Sequence, residues 1–245
     1  MSVSVSIRDG VAHIRLVRGR GNPIDLATAA GLLGAARRCG PDVRAVLLTA
    51  AGPSFCVGGD LREFAAAEDL GGHLTRVTDA LHDALRIFTR LEAPVVAAVH
   101  GAVAGAGLGL LGAADLVIAA EDATFVAGYP AIGYPPDAGV TWSLPRLVGP
   151  RLALDLLLTN RRLTAAEALA AGLVTSVVPE AGSAAAALAG RLAGLPASGL
   201  TKRLVRQGMS GSFDRQLDDE ARAIAEAAVS PAGREGVAAF LRKRM

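Results

Sequence analysis

Aromatic residues are scarce: one Trp, two Tyr and six Phe make up 4% of the 245 residues, which disfavours any site built from stacked rings. Cysteine is scarcer still. Cys39 and Cys56 have no metal-type spacing and give no disulfide framework in a chain of this size, so both are expected as reduced thiols and no metal site is expected. An excess of charge of one sign is also missing. The 25 basic and 23 acidic residues leave a net charge of +2. That gives no global field for nucleic acid and leaves only local pairs, Arg161-Arg162 and Lys202-Arg203, for an anionic ligand. No apolar run reaches the roughly 20 residues a membrane span needs; the longest, Ala113 to Ala120, is broken by Asp115. The N-terminus lacks the basic-then-apolar layout of a leader, so a cytoplasmic protein without membrane contact is expected.

What the chain does have is aliphatic and small: 51% hydrophobic residues and 29 glycines. Its length suits one main domain with a sizeable core. Val3, Val5, Ile7 and then Ala12, Ile14, Leu16 alternate around Asp9-Gly10, the pattern of a β-hairpin. A helix is expected over Leu26 to Cys39, and strands covered on both faces over Val43 to Thr49 and Val95 to Val99. Between those strands Leu74, Val77, Leu81, Leu85 and Phe88 recur at helical spacing, so strand, helix and strand imply a right-handed crossover. A further unit runs from a glycine-rich turn at Gly101 through a helix to Ala113 and a strand near Leu116 to Ala119. The alternation is that of an α/β protein. After about Gly149 the signals are helical: Thr164 with Glu167 as a capping box, an alanine-rich helix from Ala184 to Leu195, and Ser230-Pro231 as N-cap and first helical residue.

Two turns carry chemical interest. Phe55-Cys56-Val57-Gly58-Gly59-Asp60-Leu61 follows a buried strand, where glycines allow a sharp turn and leave N–H groups unblocked. Gly101-Ala102-Val103-Ala104-Gly105-Ala106-Gly107 lies between strand and helix, so its N–H groups gain the positive end of a helix dipole. Either turn alone is an ordinary connection; together they can hold one anionic oxygen. Neither ends in Gly-Lys-Ser/Thr, and Leu110 stands at the third glycine position of a dinucleotide fingerprint, so nucleotide binding is disfavoured.

Read in order, the first turn, then Pro94-Val95-Val96-Ala97-Ala98-Val99-His100-Gly101 with its glycine turn, then Asp115-Leu116-Val117-Ile118-Ala119 resemble the crotonase (enoyl-CoA hydratase/isomerase) superfamily. The likeness continues through Ile132-Gly133, Leu144 to Gly149, Leu163 to Ala168 and Gly172-Leu173-Val174 to Glu235-Gly236-Val237-Ala238-Ala239-Phe240, nearly the whole chain. The resemblance implies a ClpP-like spiral of ββα units over residues 1–193 and a C-terminal helical region over 194–245. It also implies a homotrimer or dimer of trimers, and an acyl-CoA thioester substrate whose CoA is substrate rather than cofactor. Its oxyanion donors fall on the N–H groups of Gly59 and Ala106; Val57, Gly58, Asp60, Leu61 and Gly105 are expected around them, against the substrate.

The positions of the two hydratase glutamates in this superfamily read Gly109 and Tyr129, so hydration by that dyad is disfavoured. One carboxylate stands in a suggestive place: Asp137, in Tyr134-Pro135-Pro136-Asp137-Ala138-Gly139 before Trp142, resembles the Asp that moves the proton in Δ3,Δ2-enoyl-CoA and ring-enoyl-CoA isomerases. A helix N-cap is the plainer account of it. Aryl-CoA dehalogenases also place an Asp there, as a nucleophile, with a His matching His82, a Trp where Tyr129 stands and a Phe where Gly59 stands. A family member without chemistry is the third possibility. Tyr129 is expected to line the pocket and His82 to lie at its edge. Arg18, Arg20 and Lys202 are candidates for the CoA phosphates.

Overall fold

The computed structural model describes residues 2–242. The chain opens with β1 (Val3–Arg8) and β2 (Val11–Leu16), paired antiparallel through Asp9 and Gly10, both at positive φ (52° and 78°) as a two-residue hairpin turn requires. Helix α1 (Leu26–Arg37) starts where Asp25 accepts the Thr28 N–H at 2.7 Å. It is followed by β3 (Ala45–Ala50), α2 (Leu61–Ala66), α3 (Leu70–Arg90) and β4 (Val95–Val99). The predicted helix to Cys39 stops two residues earlier, and the strand predicted from Val43 begins at Ala45 because Val43 N–H closes a turn onto the Gly40 carbonyl.

Next come β5 (Ala102–Ala104), α4 (Ala106–Ala113), β6 (Leu116–Ala120), β7 (Thr124–Val126) and a 3-10 turn over Tyr129–Ile132. Then follow α5 (Val140–Val148), α6 (Pro150–Thr159), β8 (Leu163–Thr164), α7 (Ala165–Ala170), β9 (Ser176–Val178) and α8 (Ala181–Ala193). The chain ends in α9 (Ser198–Gly208), α10 (Phe213–Val229) and α11 (Pro231–Arg242). These three helices lie within the span 194–245, whose positions 243–245 are outside the described residues.

The main sheet has the order β1-β2-β3-β4-β6-β9, parallel except for the hairpin. Its central strands are buried on both faces, and their residues divide by alternation. Val46, Leu48, Val95, Ala97, Val99, Val117 and Ala119 join the larger core with α1 and α3. Ala45, Leu47, Val96, Ala98 and Ile118 join a second core beneath α8. That helix presents Ala185, Ala189 and Ala193 at four-residue steps, and such small side chains let it approach closely. A smaller sheet, β5-β7-β8, escaped the sequence reading, since strands of two or three residues carry no periodicity. Among the described residues no helix is long and apolar enough to cross a membrane.

Candidate active site

The small sheet holds the two glycine turns against each other. Cys56 pairs with Val103 through Cys56 N–H to the Ala102 carbonyl (3.2 Å) and Ala104 N–H to the Cys56 carbonyl (2.8 Å). On the other side Ile24 pairs with Gly59: Ile24 N–H donates to Gly58 O at 2.7 Å, and Asp60 N–H to Ile24 O at 3.0 Å. The turns then touch backbone to backbone. Gly58 (φ 93°) and Gly105 (φ 52°) sit where a Cβ would be strained and crowded, since one built on Gly105 lies 3.3 Å from Gly58 Cα. Gly105 N–H is tied to the Ala127 carbonyl at 3.1 Å, which fixes the first turn of α4.

This pairing leaves two amides over. Gly59 N–H and Ala106 N–H find no acceptor among the described residues, and Ala106 is the first helical residue of α4, where the N–H has no intrahelical partner and the helix dipole is positive. Both residues line one cavity of about 850 Å³. Its wall also includes Val57, Gly58, Asp60, Leu61, Gly105, Tyr129 and Asp137, so nine of the ten predicted site residues meet there. His82 is the exception. It lines a neighbouring cavity of about 840 Å³ with Ala138, Gly139 and Trp142.

At the far wall Tyr129 O–H donates to Asp137 Oδ1 at 2.7 Å, while Oδ2 has no partner among the described residues. Burial, with the Asp137 charge beside it, pushes the Tyr129 hydroxyl far above its ordinary value, so Tyr129 remains a donor. The second carboxylate on the wall, Asp60, is fully engaged. It caps α2 by accepting Arg62 N–H (3.1 Å) and Glu63 N–H (3.3 Å), and it takes the Arg18 guanidinium at 3.1 Å. Partial burial raises its pKa, but those donors outweigh that and hold the carboxyl below its usual range.

Gly109, where the resemblance puts a hydratase glutamate, lies under the segment after Asp137. A Cβ there would fall 2.4 Å from Ala138 Cβ, so no side chain fits. Phe64, which the sequence reading missed, covers Gly59: its Cε2 and Cζ lie 2.6 Å from where a Cβ on Gly59 would stand, and its ring meets His73 edge-on at 6.1 Å. Three α2 residues, Leu61, Arg62 and Phe64, thus line the cavity, the two apolar ones three positions apart, a spacing too short to register as a pattern. Cys56 is fully buried and burial pushes its thiol up to about 12, which leaves no nucleophile there.

The basic candidates separate. Lys202 is buried and spends its ammonium on Phe88 O (2.9 Å), Ala93 O (3.0 Å) and Asp115 (2.8 Å), so it is structural and does not reach a phosphate. Arg203 pairs with Glu92, and Arg161 with Asp155 and Glu167. Arg18 is held by Asp25 and Asp60 on the cavity wall, whereas the guanidinium groups of exposed Arg20 and Arg62 have no partner among the described residues. No group of His, Cys, Asp or Glu among the described residues is arranged to hold a metal.

Two unpartnered amides on touching turns share an apolar cavity with a half-buried carboxylate in an α/β fold, an arrangement with the chemistry to hold an oxyanion. The comparisons name the family. The enoyl-CoA hydratase/isomerase family model matches residues 6–245. A probable enoyl-CoA hydratase of Rhodobacter capsulatus is 38% identical over 99% of this chain and 96% of its own length. The 1,2-epoxyphenylacetyl-CoA isomerase of Escherichia coli is 39% identical over 82% and 79%, and 4-chlorobenzoyl coenzyme A dehalogenase-2 of an Arthrobacter species is 34% identical over 99% and 91%. Among solved structures, an enoyl-CoA hydratase from Bacillus anthracis superposes with a TM-score of 0.92 at 30% identity, covering 99% of this chain and 97% of that one. The chain belongs to the enoyl-CoA hydratase/isomerase family and has the crotonase fold.

Proposed function

We propose that this enzyme is an isomerase of Δ3-enoyl-CoA or ring-enoyl-CoA thioesters, with Asp137 as its one proton carrier and the Gly59 and Ala106 N–H groups as its oxyanion hole. The observation that carries the reading is the wall itself: Asp137, with Oδ2 unengaged, shares it with both free amides, and the only other carboxylate there, Asp60, is committed to Arg18 and the α2 cap. Asp137 takes the proton from the carbon α to the thioester. The electron pair passes to the carbonyl oxygen, where the two amides hold the enolate. The same carboxylic acid returns the proton at the γ carbon, so the double bond moves into conjugation and the enzyme is unchanged. Tyr129, donating to Oδ1, keeps the carboxylate turned toward the substrate. Arg20 and Arg62 on the cavity wall receive the CoA phosphates, and no separate cofactor is needed.

The two other activities named among the relatives fit this site less well. Water activation by a pair of glutamates lacks both the residues and, at Gly109, the space. Displacement of halide by the Asp137 carboxylate would leave an aryl ester that a base must hydrolyse by activating water, and the candidate base, His82, lines the neighbouring cavity with its Nε2 on the Ala138 N–H. The test is turnover of 3-enoyl-, 2-enoyl- and 4-halobenzoyl-CoA by the wild type and Asp137→Asn. Isomerisation of the 3-enoyl thioester is expected to fall by about 10²- to 10⁴-fold, the usual worth of a positioned acid/base, with thioester binding retained. A covalent acyl adduct on Asp137, or no turnover of any thioester, would overturn the reading. We also propose a homotrimer or dimer of trimers, supported by the exposed Phe213, Ile224 and Val237 on α10 and α11; sedimentation giving a single-chain mass would refute it.

A further inference from the structure

We infer that His82 is a positioning residue that holds Asp137 in place through the backbone, resting on the reading of Asp137 as proton carrier. The carboxylate sits in an unusual piece of chain. Ala138, immediately after it, has φ 50°, a left-handed conformation in which a non-glycine residue is strained, and Gly139 follows at 72°. Such strain persists only where the surroundings hold it. Three features do so here. Val140 N–H closes a turn onto the Asp137 carbonyl at 3.0 Å. Gly109 supplies the hollow into which the Ala138 methyl packs. The third is His82, on α3, whose Nε2 accepts the Ala138 N–H at 3.2 Å.

That bond assigns the tautomer: as acceptor of the Ala138 N–H, Nε2 is the nitrogen that offers its lone pair, and the ring hydrogen is placed on Nδ1. The ring lines the cavity next to the one that holds the two amides, flanked on α3 by the buried Leu81 and Leu85. With its lone pair on the Ala138 N–H, Nε2 is not free to take a proton from the thioester. What it can do is keep the Ala138 amide, and with it the Asp137 Cα, from rotating out of the strained conformation. Tyr129 orients the carboxylate and His82 fixes its backbone from the neighbouring cavity.

The experiment compares His82→Leu with His82→Gln, whose amide oxygen can replace Nε2 as acceptor but cannot act as a base. With a 3-enoyl-CoA, His82→Leu is expected to lower kcat on the order of a hundredfold, as a displacement of the reacting group of about 1 Å does, with KM little changed. His82→Gln is expected to recover most of that loss. Equal losses in both variants would overturn the proposal in favour of imidazole chemistry, and a rise in KM at unchanged kcat would make His82 a substrate contact. A second measurement needs no folded variant: ¹⁵N spectra of the wild-type imidazoles should show a pyridine-like Nε2 and a protonated Nδ1 for His82, and the reverse tautomer would overturn the inference. Full activity in Asp137→Asn would instead sink the isomerase reading while leaving the tautomer result standing.

Discussion

A carboxylate at Gly109 would do chemistry only if its surroundings made room for it. The backbone does not: Ala138 Cβ and O lie 2.4 and 2.5 Å from where a Cβ would stand. Gly109→Glu is therefore expected to lose about 1–3 kcal/mol to overpacking, to lower the midpoint of thermal unfolding, and to gain no hydration of a 2-enoyl-CoA. A variant of native stability that hydrates would show that the 137–139 segment is free to move. Asp137 and Tyr129 were legible as residue types in a motif. Their hydrogen bond, and the bond from Ala138 to His82, depend on how the 3-10 turn at Tyr129 and α3 each approach the 137–139 segment, across 8 and 56 positions of sequence, which no local pattern encodes.

At the scale of elements, long periodic segments were readable and short ones were not. The five-residue β4 was anticipated at its observed bounds, and α3 through its stripe of Val77, Leu81, Leu85 and Phe88. By contrast, β5 exists because Cys56 on one side and β7 on the other supply its partners, and three residues without a partner are only a turn. That strand delivers the chain to Gly105 and so sets where α4 begins. The first helical position of α4 offers a clean dissection of the oxyanion hole. Proline is well tolerated there, since it needs no N–H and its φ is already helical. Ala106→Pro thus deletes one of the two proposed donors while leaving the helix start intact. Turnover is expected to drop by about 10²- to 10³-fold with unfolding by denaturant nearly unchanged. An active Ala106→Pro enzyme would remove Ala106 from the hole.

The whole molecule is tied together by a residue expected from the sequence at the CoA phosphates. Lys202 followed by Arg203 resembles a phosphate contact in sequence, because burial of a lone lysine by a distant part of the chain leaves no local trace. In the fold the ammonium on α9 meets the last-turn carbonyl of Phe88 in α3, the Ala93 carbonyl before β4, and Asp115 before β6, which itself accepts from Val95 N–H and Arg206. Three hydrogens find three acceptors, and the C-terminal helices are thereby joined to the crotonase core at the start of two central strands. Lys202→Met preserves much of the packing but strands two carbonyls and leaves Asp115 with Arg206 as its remaining cation. Breaking a buried pair costs about 3–5 kcal/mol, and the surviving arginine places the expected loss near the low end of that range. Denaturant unfolding should register it, and amide exchange should quicken in α9 before it does in β4. KM for a CoA thioester should stay where it is. If KM rises while stability holds, Lys202 touches the substrate after all and the joint between helices and sheet lies elsewhere.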